Sequence, residues 1–141
     1  MASLIAYRKV ITAVTTHALR LPDAQQSQPA GQELATLPDG RTVVALFDGT
    51  ALPATQPLEI VDSIEVLPTP LPTDLRDQIK AASPQVALIN ARVAHAVAER
   101  YSLADEIKLL RTAPSPEMAA YNDYAEDCRA WGRAEKAKLG L

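Results

Sequence analysis

The amino-acid sequence predicts an α+β protein in which a small antiparallel β-rich half precedes a helical half of three to four helices. β-Branched residues and Asp-Gly turn signals are concentrated before residue 67, whereas helix-capping signals and apolar residues at helical spacing begin at residue 73. Between them lies Pro68-Thr69-Pro70-Leu71-Pro72, in which each proline removes an amide donor and restrains the preceding residue. We therefore expect a β-rich region over 1–67, a stiff Pro-rich spacer over 68–72 and a helical region over 73–141.

Composition and charge limit the classes of function. The net charge of −3 at pH 7 comes without a basic face, so nucleic acid is not an expected partner. A single cysteine excludes an internal disulfide and any multi-cysteine metal site. Residues 1–19 are interrupted by Arg8, Lys9 and several threonines, so we expect neither a signal peptide nor a membrane span, and a chain that starts in the cytoplasm where it is made.

The first third of the chain has the residue types of strands and loops. Leu4 to Leu21 is rich in Ile, Val and Thr, which favours a strand or a bent hairpin. Pro22 to Gln32 is polar and contains two prolines and a glycine, so it reads as an exposed loop.

Two Asp-Gly steps punctuate the next segment. Pro38-Asp39-Gly40 separates two β-rich runs, over 34–37 and 42–47, and Asp48-Gly49 offers a second turn. Neither step has the spacing of a calcium loop or of a glycine-rich phosphate loop, so both are interpreted as turns of an antiparallel meander. Leu58 to Leu67 alternates apolar and polar residues, which predicts a half-buried strand.

Helix starts are clearer than strand boundaries. Thr73-Asp74-Leu75 predicts a short helix that is capped by Thr73 and ends near Ala82. Ser83-Pro84 starts a second helix that reaches about Arg100, with an apolar stripe of Val86, Ile89, Val93 and Val97.

The last forty residues predict two more helices. Ser102 and Asp105 form a capping-box-like start, followed by Leu103, Ile107 and Leu110. Ser115-Pro116-Glu117 starts the final helix, which Gly140 terminates. That helix has a narrow seam suited to packing on another helix, made of Met118, Tyr121, Ala125, Cys128 and Gly132.

No residue pattern indicates an enzyme. His17 and His95 lack partners at metal-ligand spacing and are expected at the surface, and Cys128 on the seam is expected to be a buried, inert thiol. No nucleophile, base and acid motif surrounds any of them. We therefore expect no catalytic, cofactor-binding or metal-binding residues and no cofactor.

The aromatic side chains of the tail carry two interpretations. Tyr121, Tyr124 and Trp131 account for half of the six aromatic residues, and they either close the protein's own helical core or form a docking surface for another protein. On the second interpretation, the partner-binding residues are Tyr101, Leu103, Tyr121, Tyr124 and Trp131.

Residues 101–139 also resemble a known family. Their pattern is similar to the C-terminal module of small proteins encoded beside tail-fibre genes in tailed bacteriophages, and it consists of Tyr101-Ser102-Leu103-Ala104-Asp105-Glu106-Ile107, Leu110-Arg111 and Ala120-Tyr121-Asn122-x-Tyr124-x-Glu126-x-Cys128-Arg129. The resemblance implies a non-enzymatic protein that binds a tail-fibre or baseplate subunit and assists its assembly in the host cytoplasm. The alternative that it leaves open is a permanent minor component of the virion tail or baseplate.

Two further points about partners follow from this interpretation. The helices would shield an apolar end of the fibre, and the strand-rich half would add an edge to the partner's sheet. Whether the chain also forms a homo-oligomer is left open by the sequence.

Overall fold

The computed structural model describes residues 2–22, 29–47, 50–112 and 114–141. The chain divides into two compact units: unit 1 comprises Met1–Gln85 and Ala137–Leu141, and unit 2 comprises Val86–Lys136. Strands occupy the N-terminal half and four helices the C-terminal half, so the α+β class is confirmed.

All the strands of the described residues belong to unit 1. They form a four-stranded antiparallel sheet in the order β4-β5-β1-β6 and a separate two-stranded ladder of β2 and β3. The strands are β1 (Ser3–Tyr7), β2 (Val10–Ile11), β3 (Thr16–His17), β4 (Gly31–Thr36), β5 (Thr42–Leu46) and β6 (Glu65–Val66).

The core of unit 1 is built on β5. All five of its residues are buried, which is typical of a strand covered on both faces rather than of one with a wet side. Tyr7, Val44 and Ile60 form a buried cluster on which Val10, Leu19 and Ile64 pack. The first helix contributes Ile79, which is also fully buried.

The predicted hairpin turn is confirmed at Pro38-Asp39-Gly40. The Leu37 amide donates to the Arg41 carbonyl at 2.7 Å, and the Gly40 amide donates to the Leu37 carbonyl at 2.9 Å. Gly40 has φ +90°, a conformation that glycine adopts without strain. The Asp39 side chain accepts a hydrogen bond from the Arg41 amide, which stabilises the turn further.

The other loop predictions are met in part. Leu4 to Leu21 forms β1 followed by the short β2–β3 hairpin, as a bent hairpin should. The loop predicted over 22–32 ends early, because Gly31 and Gln32 pair with Leu46 and Ala45 in the sheet. Residues 23–28 and the predicted turn at Asp48-Gly49 lie outside the described residues.

The strand predicted from Leu58 to Leu67 is wrong over most of its length. The Pro57 carbonyl accepts from the amides of Ile60 and Val61, which starts a turn and a 3-10 helix over Val61–Ser63. The Ser63 hydroxyl then donates to the Ile60 carbonyl at 2.7 Å, a local bond that competes with strand pairing. Only Glu65–Val66 pairs in the sheet, and Leu58 points outward with 86% of its surface exposed.

The four helices have the predicted bounds: α1 (Thr73–Ala82), α2 (Pro84–Arg100), α3 (Leu103–Arg111) and α4 (Pro116–Lys138). Thr73 is the first helical residue of α1 rather than its cap, because the chain enters through Pro72, whose carbonyl accepts from the Arg76 amide at 2.9 Å. Ser115 caps α4 by accepting from the Met118 amide at 3.1 Å. Within the described residues, no helix combines the length and the apolar character needed to cross a membrane.

α1 belongs to unit 1. It contacts β4, and Gln85, at the end of the unit 1 segment, donates its side-chain amide to the Glu33 carbonyl of β4 at 3.0 Å. The spacer is anchored to the same unit, since Leu71 is buried and the Leu67 amide donates to the Leu4 carbonyl at 2.9 Å.

Unit 2 is held together by close packing of α2 on α4. Val86 and Ile89 of the predicted stripe are buried, and Ala125 and Gly132 of the α4 seam are buried as well. A Cβ placed on Gly132 would lie only 2.7 Å from Cγ2 of Val93. Gly132 is therefore required by the short distance between the two helices.

We expect Gly132→Ala to destabilise unit 2. Overpacking costs about 1–3 kcal/mol, and the better helix propensity of alanine offsets up to about 1 kcal/mol of that. The free energy of unfolding, measured by urea titration with circular dichroism, should therefore fall. Adding Val93→Ala should relieve much of the effect, and Ala130→Gly, at an exposed site of α4, measures the propensity contribution alone. A Gly132→Ala chain that gains the full propensity increment would contradict the close contact.

Candidate functional site

α3 is fixed at its start by a complete capping box. The Asp105 amide donates to the Ser102 hydroxyl oxygen at 3.1 Å, and the Ser102 amide donates to Oδ2 of Asp105 at 3.1 Å. The Ser102 hydroxyl adds a third bond to the same carboxylate at 2.8 Å. These bonds hold the pKa of the Asp105 carboxyl below its ordinary value of 3.8. Asp thus completes the reciprocal bond that Glu or Gln usually makes.

Three of the four large aliphatic side chains of α3 point into solvent, and the fourth, Leu109, is half-buried. Leu103 is 72% exposed, Ile107 43% and Leu110 65%, and no residue of the helix is buried. Their spacing of four and three residues places them on one side of the helix, which we call the α3 apolar face. A helix that is capped yet exposes its aliphatic residues has a surface suited to contact with another molecule.

Beside the α3 apolar face, the helix is tied to α4 by a polar contact. Tyr121 donates its hydroxyl hydrogen to Oε1 of Glu106 at 3.0 Å. Burial raises the pKa of the Tyr121 phenol, and the adjacent Glu106 carboxylate raises it further. This bond links α3 to α4 at the flank of the α3 apolar face.

Three tyrosines meet within unit 2. The ring centroids of Tyr101 and Tyr121 are 4.9 Å apart with an interplanar angle of 82°, an edge-to-face contact. The centroids of Tyr101 and Tyr124 are 5.9 Å apart. The Arg100 guanidinium lies 4.7 Å from the Tyr124 centroid, within cation–π range.

Tyr124 is also bonded to the backbone of α2. Its hydroxyl donates to the Ala96 carbonyl at 2.6 Å. Burial raises the pKa of the Tyr124 phenol, and the adjacent Cys128 adds to the shift. Cys128 itself is half-buried rather than buried as predicted, because its part of the α4 seam is only partly covered.

The predicted partner-binding residues therefore separate into two groups. Tyr101, Tyr121 and Tyr124 pack on one another inside unit 2, whereas Leu103 and Trp131 are exposed, Trp131 by 42%. Trp131 takes part in none of the ring contacts between described residues. The docking role of all five residues stays a prediction, and free surface is concentrated on Leu103 and Trp131.

Sequence reasoning did not assign Ile107 and Leu110 to the docking surface. It placed both on α3 but treated them as ordinary apolar residues of an amphipathic helix. The signal that could have identified them is their spacing, since Leu103, Ile107 and Leu110 lie four and three residues apart and so share one side of the helix.

An open groove of about 380 Å³ adjoins the α3 apolar face. Leu103 belongs to both, and the groove continues over small and aliphatic residues of α2, namely Val93, Ala94, Val97 and Ala98. Glu106 and Arg129 also line the groove, so its rim carries one negative and one positive side chain. Groove and face together form a surface that is apolar in the middle and polar at the edge, as protein-contact surfaces are.

Each of the two histidines lies beside a single carboxylate. His95 lies on the exposed side of α2, 3.0 Å from Glu99, and His17 lies 3.5 Å from Glu59. Across the described part of the chain, no three His, Cys, Asp or Glu side chains are grouped so that they could hold a metal ion.

We expect Ser102→Ala to weaken the start of α3. Loss of an N-cap costs about 1 kcal/mol, so amide hydrogen exchange in α3 should accelerate by roughly fivefold.

The pKa of Asp105 is lowered in the folded chain, so the contribution of this carboxylate to stability is complete above the unfolded pKa and is lost as pH falls through the folded value. In Ser102→Ala the Asp105 carboxyl should titrate closer to 3.8, as followed by carbon NMR. Ser115→Ala, which uncaps α4 instead, should leave Asp105 unchanged; a native Asp105 that already titrates at 3.8 would contradict the capping box.

The chain was compared with protein-family models, with curated proteins and with solved structures. None of the three comparisons finds a match. The function is therefore inferred from the residues of the chain and from their arrangement.

Proposed function

We propose that this chain is a non-enzymatic accessory protein that binds a subunit of a phage tail fibre or baseplate and assists its assembly. The single observation that supports a binding role most directly is the α3 apolar face, in which three aliphatic side chains of a capped helix are exposed. The choice of a tail subunit as partner rests on the resemblance of residues 101–139. Permanent residence in the tail is the alternative role for the same surface.

The energetics favour a partner for this face. Moving an exposed Leu or Ile side chain out of water is worth about 1.5–3 kcal/mol. Three such side chains on one side of a helix supply enough apolar surface to anchor an interface in which a few residues carry most of the binding energy. The capping box holds the helix in shape before the partner arrives, so less conformational entropy is lost on binding.

The mechanism that fits this surface is shielding. A fibre subunit that has not yet joined its neighbours exposes apolar surface that would otherwise aggregate. The α3 apolar face and the adjoining groove would cover such a surface, and the Glu106 and Arg129 side chains at the rim would set the orientation. Release would follow when the assembled fibre buries the same surface against its own subunits.

The tyrosine cluster has a supporting part in this proposal. Tyr121 holds Glu106, and Tyr101 is packed against Tyr121, so the cluster fixes the position of α3 on the other helices of unit 2. The tyrosine rings would contribute to binding indirectly, because they hold α3 in place. Trp131, which is exposed, would offer a second anchor for the partner.

We expect the pair Leu103→Ser and Leu110→Ser to weaken partner binding strongly while the fold is kept. Truncating one anchor of an interface costs about 1–2 kcal/mol, or about 5–30-fold in affinity. Because both side chains are exposed, the free energy of unfolding should change by no more than about 0.5 kcal/mol for each. Binding is measured by calorimetry with a phage tail-fibre subunit as the titrant.

The matched control is Leu58→Ser, which replaces an equally exposed leucine of unit 1 (86% exposed) and should leave binding unchanged. Equal binding by the double variant and the native chain would show that the α3 apolar face does not contact the fibre subunit. Loss of binding in both the double variant and Leu58→Ser would point to unspecific hydrophobic association.

Mass spectrometry of purified phage particles separates the two roles. An assembly factor should be absent from mature particles, and its loss should leave incomplete fibres. A permanent component should be present in a fixed number of copies per particle. Presence in every particle at constant stoichiometry would overturn the assembly role and support the alternative.

A further inference from the structure

The α3 apolar face has the residue types and the spacing of a two-stranded coiled-coil seam. In a heptad written abcdefg, Ile107 takes position a, and Leu103 and Leu110 take the d positions on either side of it. Isoleucine at a with leucine at d favours parallel pairs of helices. All three side chains are exposed, so the seam is open to a second helix.

The charged residues beside the seam make the face complementary to a copy of itself. Glu106 takes position g, just before Ile107, and Arg111 takes position e, just after Leu110. In a parallel pair, residue g of one helix lies beside residue e of the following heptad in the other helix. Glu106 of each copy would therefore meet Arg111 of the other, and the two-fold axis would form this ion pair twice.

The antiparallel orientation brings the same charges into conflict. A two-fold axis that reverses the helix direction keeps each flank of the seam on its own side. Glu106 would then approach Glu106 of the second copy, and Arg111 would approach Arg111. Like charges placed opposite each other destabilise an interface. The charge pattern of α3 therefore selects the parallel orientation.

Both charged residues are placed where this contact needs them. Oε1 of Glu106 accepts from the Tyr121 hydroxyl, which holds the side chain at the flank of the face, and a carboxylate has capacity for further hydrogen bonds. Arg111 is exposed in the last turn of α3. Lys108 is also exposed, but it takes position b, which points away from the seam.

We propose that the α3 apolar face is covered by the same face of a second copy of this chain, in a parallel two-fold dimer. One heptad is too short to form a coiled coil from an unfolded chain. Here the capping box already holds α3 as a helix, so less conformational entropy is lost on association. The seam is much smaller than a stable interface, so the dimer should be weak, with a dissociation constant on the order of 100 μM.

The dimer and the proposed fibre complex use the same surface. The dimer is inferred from the residues of α3 alone, so it does not depend on the identity of the fibre subunit. A tighter partner would displace the second copy by mass action. The dimer would thus cover the apolar face of a chain that has no partner to shield.

The first test is sedimentation velocity of the chain alone at concentrations up to about 1 mM. Arg111→Glu places a carboxylate opposite Glu106 of the other copy and should raise the dissociation constant of the dimer at least about tenfold. Lys108→Glu is the matched control, because it makes the same charge change on the same helix but away from the seam. It should leave the dissociation constant within about twofold of the native value. Circular dichroism checks that both variants keep the helices.

Cysteine cross-linking tests the orientation. In a chain whose native thiol is removed by Cys128→Ser, Leu103→Cys brings equal positions of the two copies side by side in the parallel dimer. Mild oxidation should therefore give a disulfide-linked dimer from this chain alone. Lys108→Cys in the same background should cross-link at least about tenfold more slowly, since its side chain points away from the second copy.

Three results would overturn the proposal. The first is a native chain that stays monomeric at about 1 mM. The second is an equal effect of Arg111→Glu and Lys108→Glu on dimerisation. The third is a Leu103→Cys chain that cross-links only to a Leu110→Cys chain, as the antiparallel orientation requires. No fibre subunit is present in these measurements, so each of these results contradicts the dimer and leaves fibre binding to its own test.

Discussion

The close contact between Gly132 of α4 and Val93 of α2 sets the geometry of unit 2. Only a residue without a Cβ lets the two helices approach this far, and the other contacts follow along the same pair of antiparallel helices. Toward the start of α4, Tyr124 reaches the Ala96 carbonyl and Tyr121 meets the ring of Tyr101. Among the described residues of unit 2, Val86 and Ile89 are the only large aliphatic side chains that are buried. Small residues at the crossing and tyrosines beyond it therefore provide much of the packing that leucines provide in other helical units.

The same arrangement explains why α3 exposes its aliphatic residues. The Tyr121–Glu106 bond attaches α3 through a polar side chain, and the capping box at Ser102 lets the helix form without burial. A helix of nine residues would be marginal in isolation, so these two sets of hydrogen bonds supply what a buried stripe usually supplies. The outcome is a rigid helix whose apolar side is available to a partner.

The sequence predicted structure that is set by neighbouring residues, and it did not predict contacts between segments that are distant in the chain. Helix starts at Ser83-Pro84, Ser102 and Ser115-Pro116 were predicted at the right residues because caps act within one turn of the chain. The prediction of a strand from Leu58 to Leu67 was wrong because alternation does not reveal local hydrogen bonds. The Pro57 carbonyl accepts from the amides of Ile60 and Val61, and the Ser63 hydroxyl donates to the Ile60 carbonyl, so these groups bond within a turn and not across a sheet. The contact of Arg100 with Tyr124 depends on packing between distant segments, which no spacing rule encodes. For the same reason, the sequence alone did not separate the packed tyrosines from the exposed Leu103 and Trp131 among the five residues predicted to bind a partner.

The Gln85 side chain that bonds the Glu33 carbonyl has a consequence for self-association. β4 is the longest strand at an edge of the sheet, and an uncovered edge of this kind readily recruits a strand from another molecule. Here α1 lies against β4, one of its carbonyls is already occupied by Gln85, and a bulge between Glu33 and Ala35 breaks its regular pairing. Growth of the sheet into a ribbon is therefore blocked on this side, and any added strand would have to enter beside the two-residue β6.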